Sequence, residues 1–85
     1  MSITNLPSFI LNSIVLTTAD KELLLSAENL PTEAEVDEIR NLPEILELTN
    51  AFIGDDTSRD THLQLKAQYY LSNNNIEMAW RVLLL

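Results

Sequence analysis

The chain has eighty-five residues, no cysteine, one glycine, 46% apolar residues, and five basic against thirteen acidic side chains for a net charge of −8. A disulfide framework is therefore excluded, and with no Lys/Arg cluster to oppose the charge, nucleic acid and anionic membrane surfaces are poor partners. Phosphate-cradling loops, dinucleotide fingerprints and tight hairpins need residues that accept positive φ, so a single glycine argues against all three and leaves an all-α chain of one domain over residues 1–85.

In chain order, the apolar stretch Phe9 to Leu16 is preceded by no Lys or Arg and is interrupted by Asn12 and Ser13. It does not read as a signal peptide and is too short to cross a bilayer; with no cysteine pointing to an oxidising compartment, the expected location is the cytoplasm. Leu6 to Leu16 reads as a helix with Phe9, Ile10, Ser13 and Ile14 on one face. The β-branched run to Thr18 also suits a strand, but no second strand is available to pair with it. Ala19 to Leu30 is the next predicted helix, capped by Thr18 or Asp20, with Leu23, Leu24 and Ala27 inward and Pro31 closing it.

Thr32 and Glu35 form a Thr-x-x-Glu capping box ahead of Val36, Ile39 and Leu42. Pro43 must end that helix and suits the first turn of another, begun by Asn41-Leu42-Pro43-Glu44. Ile45, Leu48, Thr49 and Phe52 share one side of this helix, and Gly54 stands where a left-handed terminating residue belongs. Residues 55–60 read as a loop leading into a helix capped by Thr57 with Asp60 at the third position. Leu63, Ala67 and Tyr70 give its inner face. Ser72-Asn73-Asn74-Asn75 breaks the pattern, since short amides prefer turns, with Asn74 and Glu77 as the next cap pair. Ile76, Ala79, Trp80 and Leu83 then recur at i, i+3, i+4 and i+7. The sum is a bundle of five or six short helices joined by short loops.

Chemistry is sparsely encoded. His62, the only imidazole, lies near Asp55, Asp56 and Asp60, but one His beside loop carboxylates is not a zinc ligand set, and the spacing lacks the alternation, central Gly and terminal Glu of a calcium loop. The Ser and Thr residues fall at caps and turns, without the base and orienting group a nucleophile requires. No cofactor, metal or enzymatic activity is expected.

Two features speak for binding instead. Ten of the thirteen acids fall between Glu28 and Asp60, opposed there only by Arg40 and Arg59. Within that run Glu33, Glu35, Asp37, Glu38, Asp55 and Asp56 form a candidate acidic surface, either solubilising or that of a small inhibitor that imitates a phosphate backbone and blocks a basic protein surface. Leu11, Val15, Leu25, Leu46, Ile53, Tyr69, Val82 and Leu84-Leu85 lie off the main helical faces, more apolar surface than so small a bundle buries. A contact face for another chain, the same or different, is expected, with Leu63, Tyr69, Tyr70, Trp80 and Leu84 as its candidate anchors.

Residues 62–83 resemble a tetratricopeptide (TPR) repeat. Ala67 and Tyr70 on one helix, Asn74 in the turn, and Ile76, Ala79 and Leu83 on the second fit that family's pattern, while Lys66 stands where an apolar residue is usual. The resemblance implies an antiparallel helix pair, and a protein that holds a client's amphipathic helix in an apolar groove, as adaptors and chaperones of bacterial secretion systems do. The same segment is also similar to the end of a ubiquitin-associated (UBA) domain, with its Asn-rich turn before Ile76-Glu77-Met78-Ala79 and residues 45–54 as a first helix. That second resemblance implies ubiquitin binding.

Overall fold

Short polar side chains, Thr17, Thr32, Asp55 and Asn75, cap the starts of four helices, and prolines stand at the starts of the other two. The computed structural model describes residues 6–85 and contains six helices and no strand among them. Helix α1 (Ser8–Leu11) is a single turn after Pro7. The predicted helix through Leu16 is cut short because the Ser13 hydroxyl accepts the backbone N–H groups of Val15 and Leu16, both at 3.1 Å, and so offers the chain a turn in place of helical bonding. The Lys21 ammonium donates to the Leu11 carbonyl at 2.8 Å, satisfying the end of that turn.

Helix α2 (Thr18–Leu25) starts one residue earlier than the sequence suggests. Thr17, not Thr18 or Asp20, is the cap, in a reciprocal box with Asp20. The helix also stops well before Leu30. Ser26 turns its hydroxyl onto the Leu23 carbonyl, and residues 26–32 continue as an irregular connection that delivers Thr32 to its own capping position. Helix α3 (Glu33–Arg40) begins with the expected Thr32–Glu35 box and ends before Pro43. Helix α4 (Pro43–Ala51) has no side-chain cap, and Pro43 at its first position removes one of the N–H groups that would need one. Gly54 follows at φ +83°, the left-handed conformation expected of it.

Helix α5 (Asp56–Ser72) absorbs most of the predicted loop. Asp55 is its cap, accepting the Ser58 N–H at 3.1 Å, so Thr57 lies inside the first turn and the Thr57–Asp60 cap is not formed. Asn74 takes φ +63° in the turn that follows, while Asn75, rather than Asn74, caps helix α6 (Ile76–Leu83) by accepting the Met78 N–H.

α5 and α6 form the most extensive helix contact, and α2 and α3 pack on α6 as well. Ala67 and Ala79 are fully buried, and small side chains there permit close helix approach. The Trp80 indole N–H donates to the Leu24 carbonyl at 2.8 Å, using one of the last carbonyls of α2 as its partner. One apolar cluster draws on all six helices. Enclosure of α6 on several sides corrects one expectation: Val82, off the main amphipathic face, is fully buried. The radius of gyration is 12.3 Å, close to the roughly 12 Å of a well-packed chain this long.

Candidate interaction surface

The five proposed anchors separate into core and surface. Leu63, Tyr70 and Trp80 are buried at 5%, 8% and 3% exposure, so most of their area is already consumed by the chain's own core. Tyr70 also donates its hydroxyl to Glu44 Oε1 at 2.9 Å, and Trp80 its N–H to the Leu24 carbonyl. Tyr69 is exposed, with the Lys66 ammonium 5.2 Å from its ring centroid. Leu84 is half-buried.

Two adjoining depressions meet at Leu63 and Leu85. The first, about 300 Å³, is lined by Phe9, Asp60, Leu63, Gln64 and Leu83 to Leu85. The second, about 420 Å³, is lined by Ile45, Leu46, Leu63 and Leu85 together with the polar Arg40, Asn41, Thr49 and Arg59. Together they make a trough that runs from α1 across the start of α5 and the end of α6 to α4, mainly apolar in the first depression and mixed in the second. Phe9 and Leu46, 48% and 40% exposed, stand on its two sides. Leu63 and Leu84 of the predicted set belong to it. Phe9, expected on one helical face with Ile10, Ser13 and Ile14, and Leu46, expected off the main face, emerge as its flanks.

The acidic candidates are largely engaged. Glu35 closes the cap of α3 through Oε1 and accepts from Arg81 Nη2 through Oε2 at 3.0 Å. The hydrogen bond from the Thr32 backbone, and then Arg81, hold its carboxyl below the ordinary carboxylate range. Asp37 pairs with Arg40 at 2.7 Å, and Asp56 with Arg59 at 3.3 Å. Asp55 is the α5 cap, and its bonds to Ser58 lower its pKa. Glu33 and Glu38 are exposed and make no ion pair among the described residues. His62 is also occupied, donating from Nδ1 to the Ser58 carbonyl at 2.8 Å and stacking on Phe52 with ring centroids 4.3 Å apart.

A larger cleft of about 760 Å³ lies at the opposite end of α6, between the α2–α3 connection and the α5–α6 turn. Its wall includes Glu28, Glu35, Glu77 and Arg81 over Ile76 and Trp80, with Leu30 59% exposed beside it. Its lining is more polar than that of either depression of the trough. Among the described residues no three His, Asp or Glu side chains converge as a metal ligand set, and no helix is long and apolar enough to cross a membrane. No family model, curated protein or solved structure matches the chain.

Proposed function

We propose that the chain is a non-catalytic protein-interaction module, a small adaptor or chaperone of the cytoplasm, that seats an amphipathic helix of another protein in the trough between Phe9 and Leu46. The observation that carries this reading is the pair of depressions sharing Leu63 and Leu85, flanked by large apolar side chains that the fold leaves exposed. A helix presents apolar side chains at i, i+3 or i+4 and i+7, and a shallow apolar channel accepts such a row. The TPR-like hairpin of α5 and α6 contributes Leu63 and Leu83 to the channel, which agrees with the role the resemblance implies.

The rival reading, an acidic inhibitor that imitates a phosphate backbone, finds less support. Of its six candidate acids, Glu35, Asp37, Asp55 and Asp56 are each spent on a cap or an arginine of the same chain. A mimic needs carboxylates held outward and unneutralised.

The test is calorimetric titration with a synthetic helical peptide carrying a leucine seam and glutamine elsewhere. Saturable binding with a negative heat-capacity change is expected, weakened at least about ten-fold by Leu46→Asp, because a charge would then sit on the apolar wall. Absence of binding to the unmodified protein, or equal binding to Leu46→Asp, refutes the reading.

A further inference from the structure

We propose that the partner helix lies in the trough in one direction, with its C-terminal end over the second depression and its N-terminal end towards Phe9; this rests on the reading of the trough as a helix site and specifies how its occupant is turned. The two depressions differ in the groups their walls offer. Asp60 is the one charged side chain lining the first, whereas the second is lined by two guanidiniums, Arg40 and Arg59, and by no carboxylate. Each arginine pairs with acids of its own helix, Arg40 Nε with Asp37 at 2.7 Å, and Arg59 with Asp56 and Asp60 at 3.3 and 3.8 Å. Those pairs offset charge and stay as they are. What they leave unused is hydrogen-bond donors: Arg40 bonds through Nε alone, so its Nη1 and Nη2 have no acceptor among the described residues. The Asn41 side-chain amide, beside Arg40 in the same lining, likewise has no partner among the described residues. The Thr49 hydroxyl, by contrast, is spent on the carbonyls of Ile45 and Leu46.

An α-helix has ends that match this difference. Its last turn of carbonyls is unbonded and carries about half a negative charge, while its first turn of N–H groups carries the positive counterpart. With its C-terminal end over the second depression, the occupant gives those carbonyls, and a terminal carboxylate where it has one, to the unused Nη groups of Arg40 and to the Asn41 amide. Its N-terminal end then faces the part of the trough whose one charge is the Asp60 carboxylate. The reverse placement sets N–H groups against guanidinium N–H groups and leaves both without acceptors. The net charge of −8 does not choose between the two directions, because turning a helix end for end leaves its own total charge unchanged. The choice falls to the groups in contact with its ends.

The experiment places a nitroxide label at the N-terminal or the C-terminal end of the leucine-seam glutamine peptide and reads the paramagnetic broadening of amides in the ¹⁵N-labelled protein. The N-terminal label is expected to broaden Phe9 and Gln64, and the C-terminal label Asn41 and Leu46. A second arm measures the affinity of the peptide ended by a free carboxylate relative to that of its C-terminal amide, in the unmodified protein and in Arg40→Met. The substitution should lower this ratio about three-fold, and comparing the two proteins cancels the effect of the end group on the free peptide. The opposite pattern of broadening, both regions broadened by each label, or one ratio in both proteins overturns the proposed direction while leaving the helix site intact. Absence of saturable binding removes the site itself and the direction with it. Sedimentation that shows a dimer dissociated by the peptide assigns the trough to a second copy and overturns the proposal.

Discussion

Arg81 and Glu35 join α6 to α3, Nη2 to Oε2 at 3.0 Å, while the other oxygen of the same carboxylate accepts the Thr32 backbone N–H at 3.0 Å. One side chain thus closes a helix cap and ties two helices. The Arg81 guanidinium is mostly buried, and its Nε has no acceptor among the described residues. Glu35→Gln therefore leaves a shielded cation without its counter-charge, whereas Arg81→Met removes both the cation and its orphaned donor. Urea denaturation should show Glu35→Gln as the more destabilised of the two. Thr32→Ala, which opens the cap from the other side, should cost about 1 kcal/mol.

Acid should loosen the fold through a small set of caps. Burial pushes the Asp20 carboxyl up, but the Gln68 side chain and the Thr17 cap outweigh it and the net shift is downward. Glu35 and Asp55 are lowered by their own cap bonds. A carboxyl whose folded pKa lies below its unfolded value contributes stability that is complete above the unfolded value, near 4, and is lost as pH falls through the folded one. The urea midpoint should stay level from neutrality down to about pH 5 and then decline. Asp20→Asn should flatten part of that decline.

Tyr70 behaves in the opposite sense. Burial, and then the bond from its hydroxyl to Glu44, push the phenol up to about 12. Its contribution is complete below the unfolded value near 10 and is lost as pH rises towards the folded one. Ultraviolet titration should show a tyrosinate step near pH 12 that is missing in Tyr70→Phe. The same substitution should cost about 1 kcal/mol at neutral pH through the lost hydrogen bond.

Trp80 gives the sharpest core test. Trp80→Phe leaves the Leu24 carbonyl without its 2.8 Å donor and opens space beside α2, at a cost of about 2 kcal/mol. Ile14→Ser and Ile53→Ser, at positions 99% and 80% exposed, should change stability by no more than about 0.5 kcal/mol. Thermal denaturation followed by far-ultraviolet circular dichroism separates these two groups.

Much of the fold was legible because local chemistry decided it. The Thr32–Glu35 box, Pro43 at a helix start, the left-handed Gly54 and the Ile76-to-Leu83 periodicity each depend on residues within a turn or two of one another. The two helices that end earlier than expected share one cause. At Ser13 and Ser26 a hydroxyl competes with helical bonding, and apolar periodicity carries no record of that competition. Burial of Val82 is tertiary, set by three helices around α6. Of the trough's members, Leu63 and Leu84 were expected as anchors, and Leu46 and Leu85 only as apolar residues off the main helical faces. Its flanks, Phe9 and Leu46, lie far apart in the chain, and neither gives a local sign that it will border a channel with Leu63 and Leu85.

Chemical-shift mapping of the ¹⁵N-labelled protein during titration with the leucine-seam glutamine peptide shows whether a helix seats in the trough. Saturable amide shifts concentrated at Phe9, Leu46, Leu63, Leu84 and Leu85 are predicted. Shifts confined to residues 28–31 and 74–77 at the polar cleft, or none at saturating peptide, would contradict that seating.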